Sequence, residues 1–230
     1  MQTEASSFPP DPRDRQKFVF HRTILRRIIV WILRKLLPMV IKVNVSGMEN
    51  IPKTGAAILA FNHLTTYDVF PVQMEIQRPL FFMAKSELHK NPIMDVLLRN
   101  LGAFPVHRGE KDHWAINHAE KVIEHEQLLA MFPEGSRSRG KGLRAGKTGV
   151  ARLSVKMDCP IIPVAIEGTE RMYKNLPHRS VITMNIGEAI TGREGESILG
   201  LTDRLMFKIA EMLPLNLRGV YANKPQGFDL

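Results

Sequence analysis

The chain has 230 residues, 44% of them hydrophobic, enough to bury the core of one large domain or two small ones. A formal net charge of +9 at pH 7 points to an anionic partner. Aromatic content of 7%, with no aromatic-interleaved basic stripe, places nucleic acid behind a membrane surface or a phosphorylated substrate.

Residues 1–17 are polar, carry three prolines and lack the form of a secretory leader, so they read as a flexible tail. Residues 18–41 read as a helical element. Ile24, Leu25, Ile28, Ile29, Ile32, Leu33, Leu36 and Leu37 recur at helical spacing, interrupted by Arg26, Arg27, Arg34 and Lys35. A spanning helix needs about 20 mostly apolar residues, and buried cations would be costly in it. A basic amphipathic helix lying in the interface fits better, with Trp31 at headgroup depth and the cations reaching lipid phosphates. The plainer alternative is a basic helix packed on the domain.

From 42 to 215 short β-like runs alternate with helical stretches. The pattern predicts strands at 42–45, 57–61, 80–84, 103–106, 128–132, 161–166 and 181–186. It predicts helices near 68–78, 91–100, 112–126, 145–157 and 197–213. The fold class is α/β: a single domain with a central mixed sheet of about seven strands covered by helices on both faces. Pro163, inside its strand, suggests a sheet edge or a bulge. Cys159, the single cysteine, sits just ahead of that apolar run and reads as a packing residue; alone it excludes an internal disulfide and a cysteine-based metal cluster. Residues 216–230 look like a loosely held tail.

Chemistry gathers where these strands end. "AFNHLTTYDVF" leaves the second strand and places His63 and Asp68 five positions apart. Thr65-x-x-Asp68 fits a helix capping box, and on these residues alone capping is the commoner explanation. The other reading is a His–Asp pair acting on a hydroxyl proton. On a straight helix the two would point about 140° apart, so a turn must fold them together. "FPEGSRSRGKGLRAGKTG" emerges from the fifth strand with a Pro-Glu-Gly turn, Ser136 and Arg137, a set suited to phosphate. Lys85 and Arg108 follow the third and fourth strands. His89 and His107 have no carboxylate or cysteine at ligand spacing and read as surface or packing residues.

With these blocks in order, the sequence resembles the PlsC-like glycerolipid acyltransferases. "NHLTTYD" matches the family's H-x4-D block, "GAFPVHR" its G-x-F-x-x-x-R block with "KSEL" upstream, "FPEGSRS" its F-P-E-G-T-R-S block and "IIPVAI" its V-P-V block. Thr65 and Ser136 depart from the family's usual Ser and Thr, and both keep a hydroxyl. The resemblance implies acyl transfer from acyl-CoA or acyl-carrier protein to the hydroxyl of a lysophospholipid, first of all 1-acyl-glycerol-3-phosphate, with another lysolipid, an amino-acid lipid or a glycolipid as the alternative acceptor. It makes His63 the base and Asp68 its orienter, with direct attack and no acyl-enzyme. Lys85, Arg108, Glu134, Gly135, Ser136 and Arg137 would hold the acceptor phosphate, without metal or organic cofactor. It further implies a peripheral or monotopic enzyme on the cytoplasmic face of a membrane containing anionic lipid.

Two other classes compete. A non-catalytic module binding anionic lipid explains the charge and the N-terminal helix equally well, but gives no reason for His63 and Asp68 at a strand end. A hydrolase using the same pair lacks a nucleophile motif such as G-x-S-x-G.

Overall fold

The computed structural model describes residues 11–15, 20, 23–107, 112–172, 174–175 and 177–230. Seven strands form one sheet: β1 (Ile41–Ser46), β2 (Ala57–Phe61), β3 (Leu80–Lys85), β4 (Ala103–Val106), β5 (Leu128–Met131), β6 (Ile161–Glu167) and β7 (Ser180–Ile186). Their order is β1-β7-β6-β2-β5-β3-β4, and every pairing is parallel except β6 with β7. The helices are α1 (Ile24–Leu36), α2 (Val69–Glu75), α3 (Pro92–Asn100), α4 (His113–Glu124), α5 (Gly149–Met157) and α6 (Ile198–Glu211).

The strands are apolar on both faces because both faces are covered. In β2, Ile58 and Ala60 join the core beneath α4, α5 and α6, while Ala57, Leu59 and Phe61 join the core beneath α1 and α2. Each large side chain so buried contributes about 1.5–3 kcal/mol. Helix starts follow their caps: Thr23, Asn91, Asp112 and Ser197 each accept a backbone N–H of the first turn. β2, β5, β3 and β4 run parallel, so their carboxyl ends share one sheet edge. There an open α/β sheet offers unpaired backbone and loops to a ligand.

Four expectations change. Pro163 lies in an interior strand, since β6 pairs β2 on one side and β7 on the other. Nor is the proline itself bulged: β6 keeps an unbroken register with β2 through Pro163, and the one-residue step between the Ile161–Ile190 bridge and the Val164–Ile186 pair puts the extra residue on the facing 187–190 segment. The 216–230 segment is anchored rather than loose. Leu217 and Tyr221 are buried, the Tyr221 hydroxyl accepts the Gly146 amide at 2.9 Å, and the rings of Tyr221 and Phe228 pack on Phe207. In the N-terminal segment, Arg13 bridges Asp11 and Asp112 and lies over the Trp114 ring, so residues 11–15 are docked, whereas residues 1–10, 16 and 17 lie outside the described residues.

The fourth concerns α1. Arg26 turns into the domain and donates to Gln73 Oε1 at 3.2 Å and the Leu80 carbonyl at 3.4 Å; Arg34 donates to the Met74 carbonyl at 2.8 Å. Gly102 permits this: its φ of +93° suits glycine, and a Cβ there would lie 2.9 Å from the Arg26 guanidinium. These two cations are spent on backbone and amide oxygens and do not reach outward. Ile24, Ile28, Trp31 and Leu36 do face outward, at 50–75% exposure.

Candidate active site

β2 ends at Phe61, and Asn62 continues its edge with two bonds to the β6 backbone: it donates to the Ile166 carbonyl at 2.8 Å and accepts the Ile166 amide at 2.7 Å. That pins the start of the turn carrying His63. Thr65 is extended, Thr66–Asp68 form a 3-10 turn, and the capping box is present in full. The turn returns Asp68 to His63, with Nδ1 2.8 Å from Oδ2. Capping and pairing are therefore performed by one carboxylate.

Asp68 is 1% exposed and surrounded by donors. Besides the imidazole, it accepts the amides of Leu64 and Thr65 and the hydroxyls of Thr65 and Thr169, the last at 2.5 Å. A carboxylate so surrounded orients the Nδ1–H tautomer of His63 and leaves Nε2 with the free lone pair. The imidazole stacks on Phe132 with centroids 4.0 Å apart, which fixes the ring plane.

The 132–144 loop locks onto this turn. Glu134, buried, accepts the His63 amide at 2.7 Å on one oxygen and the Arg144 amide at 2.9 Å on the other. Burial pushes its carboxyl up from the ordinary range, opposed by those two amides. The Ser138 amide donates to the His63 carbonyl at 2.7 Å, and the Arg139 amide to the Leu64 carbonyl at 3.2 Å. Gly135 takes φ +67°, and Lys147 lies against it, close enough that a Cβ would meet its side chain at 3.0 Å.

The predicted site residues thus divide. His63, Asp68, Glu134, Gly135, Ser136 and Arg137 are brought together by direct bonds or chain neighbourhood. Glu134 is turned inward onto backbone, so it shapes the turn. Arg137 donates to Thr66 Oγ1 at 2.6 Å, and Ser136 Oγ accepts Arg144 at 2.7 Å. Lys85 ends β3 on the same sheet edge and pairs with Glu87 at 2.9 Å on the surface. Arg108 lies outside the described residues. His89 has the carboxylate partner its sequence neighbourhood did not suggest: Nδ1 meets Asp95 at 2.7 Å, and Arg99 shares that carboxylate. This second His–Asp pair is an ion-pair cluster at α3. Sequence reading missed Asn62, Phe132, Thr169, Arg144 and Lys147 as site residues. Thr169, 101 positions from Asp68, gives no local spacing signal.

Fold and site define an α/β protein that carries a His–Asp dyad at the carboxyl edge of its sheet, backed by a cation-rich loop. A family model described as Acyltransferase matches residues 42–167, and the chain belongs to that family. It is 30% identical over 149 residues to 1-acyl-sn-glycerol-3-phosphate acyltransferase of Borreliella burgdorferi, covering 64% of this chain and 60% of that protein. It is 26% identical over 178 residues to the Bacillus subtilis protein of the same name, covering 74% and 87%. The Escherichia coli protein of that name is 28% identical over 150 residues, covering 64% and 61%. The alignments thus span about three-fifths of the Borreliella and Escherichia proteins. The fold is similar to the crystal structure of the 1-acyl-sn-glycerophosphate (LPA) acyltransferase PlsC from Thermotoga maritima, with TM-score 0.66, 24% identity and coverage of 80% and 78%.

Proposed function

We propose that this protein transfers a fatty acyl group from a thioester donor, acyl-CoA or acyl-carrier protein, to the free hydroxyl of 1-acyl-sn-glycerol-3-phosphate, yielding phosphatidic acid. The observation that carries it is the His63–Asp68 pair, with Nδ1 held and Nε2 left for substrate. Nε2 takes the hydroxyl proton as the oxygen attacks the thioester carbonyl. The tetrahedral intermediate collapses, the C–S bond breaks, and the departing thiolate receives the proton from the imidazolium. No acyl-enzyme forms. Lys85, Arg108, Ser136 and Arg137 hold the acceptor phosphate, as guanidinium forks and a hydroxyl do well, and Glu134 and Gly135 shape the turn that presents them. Two facts support this arrangement: β3, β4 and β5 end on one edge, and Arg137 is fixed to the His63 turn through Thr66.

The domain comprises residues 42–215, with 18–41 as its membrane-docking element. The enzyme works at the cytoplasmic face of an anionic membrane as a peripheral or monotopic protein. No helix among the described residues is long and apolar enough to cross a membrane. The outward apolar face of α1 suits the interface, and Thr23 beside Asn100 sets it next to α3, where Ile93 is 81% exposed.

The test is thiol release from acyl-CoA or acyl-carrier protein with lysophosphatidate on vesicles, with phosphatidic acid read by mass. Wild type should turn over and His63→Ala should lose nearly all activity. A His63→Ala protein at wild-type rate would overturn the mechanism.

A further inference from the structure

The loop that follows β5 carries a second cationic surface. The 136–145 loop and the backbone of Gly219 and Val220 enclose an open cleft of about 750 Å³. Arg137, Arg139, Lys141 and Arg144 line it. Among the described residues none of the four makes an ion pair with a carboxylate, although the charge of Arg144 acts on the buried Glu134. Arg137 and Arg144 donate to hydroxyls, and the side chains of Arg139 and Lys141 make no hydrogen bond or ion pair there. Lys85, by contrast, already has Glu87.

The cleft is built rather than incidental. Its loop is bonded to the backbone of His63 and Leu64 at one end. Further along, the Leu143 amide donates to the Leu217 carbonyl at 2.9 Å, and the Val220 amide to the Leu143 carbonyl at 3.1 Å. Arg139 is held at φ +56°, a left-handed conformation that costs an ordinary residue about 1–2 kcal/mol and is kept only where the surroundings impose it. Four like charges held together with only the buried Glu134 near one of them repel, and a multiply charged anion relieves that. A lysophosphatidate brings one phosphate monoester, for which Lys85, Ser136 and Arg137 suffice. The reactant with further phosphates is the acyl donor.

We propose that the cleft binds the phosphates of the donor's nucleotide, the 3′-phospho-ADP end of acyl-CoA, so that the pantetheine arm runs along the loop toward His63. Arg139 and Lys141 are the determinants, and Arg144 the support. This rests on the function proposed above, and the two fail separately: wild-type turnover tests the function, the cleft variant tests the site.

The experiment is steady-state kinetics of wild type and Arg139→Ala/Lys141→Ala. Donors are acyl-CoA and S-acyl-phosphopantetheine, which lacks the nucleotide; CoA binding is measured by calorimetry alongside. The variant should raise KM for acyl-CoA and Kd for CoA about tenfold or more, the scale of lost charge-assisted contacts to phosphate. KM for lysophosphatidate should change less than twofold. On S-acyl-phosphopantetheine the variant should match wild type, and adenosine 3′,5′-bisphosphate should compete with acyl-CoA in wild type. A rise in KM for lysophosphatidate instead would assign the cleft to the acceptor. Donor KM and CoA Kd unchanged within twofold, or turnover only with acyl-carrier protein, would overturn the proposal.

Discussion

The backbone amide of His63 donates to one oxygen of Glu134 at 2.7 Å, while the other oxygen accepts the Arg144 amide at 2.9 Å. One buried carboxylate therefore sets the catalytic turn against the loop that bears the cations. Glu134→Gln keeps the shape but turns an amide N–H₂ toward one of the two donors, leaving it unpaired at a cost of about 1–3 kcal/mol. In a chain of this size each kcal/mol lowers the melting temperature by about 2–4 °C. Thermal unfolding should show a drop of that order, with a loss of acyl transfer as His63 shifts. An unchanged melting temperature would show that the clamp contributes nothing.

Asp68→Asn should be more damaging to rate than to fold. The oxygen that faces His63 also accepts the Leu64 and Thr65 amides, so an asparagine keeps its oxygen there and turns its NH₂ to the Thr65 and Thr169 hydroxyls, which can accept. The imidazole keeps its tautomer but loses the charge that stabilises the imidazolium, and a loss of about 10²–10⁴ in kcat is expected. Circular dichroism should remain that of wild type while thiol release collapses.

Thr169 acts through Asp68, to which its hydroxyl donates at 2.5 Å from the far side of the sheet edge. Thr169→Val removes that bond without changing volume. A hydrogen bond to a charged group is worth about 1.5–3 kcal/mol, so kcat/KM should fall about 10- to 100-fold if the loss is felt in the transition state. Thr169→Ser should restore most of the rate, which mere packing would not explain. Equal rates for the valine and serine variants would remove Thr169 from the account.

Asp112 supplies a pH prediction. Burial works to raise its carboxyl, but the Arg13 guanidinium and the amides of His107 and Ala115 outweigh it and bring it down to about 2. An aspartate in the unfolded chain titrates near 3.9. The folded value is the lower one, so the stabilisation is fully present above about pH 4 and is lost as the pH falls toward 2. Denaturant unfolding between pH 6 and pH 2.5 should therefore show a steeper acid loss in wild type than in Asp112→Asn. Parallel curves would contradict the assignment.

How much of this was legible in the chain depends on the range of the interaction. Each of the seven strands and five of the helices lies within a few residues of its periodic signal, because that signal is local and both sheet faces demand apolar side chains. His63, Asp68 and the 134–137 turn were also legible, since each sits at a strand end and carries recognisable side-chain chemistry. The destination of Arg26 was not: its periodic position marked it as a polar interruption, and it is drawn inward by groups such as the Gln73 side chain and the Leu80 carbonyl, 47 and 54 positions on. Pro163 likewise followed a local rule, but it meets neither an edge nor a bulge of its own strand, because β2 and β7 flank β6.

By itself, then, the sequence determined the α/β alternation, the capping box and the residue types available at the strand ends. Those follow from backbone periodicity and side-chain chemistry within a few residues. Tertiary structure alone decided which groups meet: Thr169 on Asp68, Glu134 beneath His63, Tyr221 closing on Gly146, and the 219–220 backbone walling the cationic cleft. Each of these contacts joins residues roughly 70 to 100 positions apart. Sequence spacing does not encode such pairs; the order of strands in the sheet does.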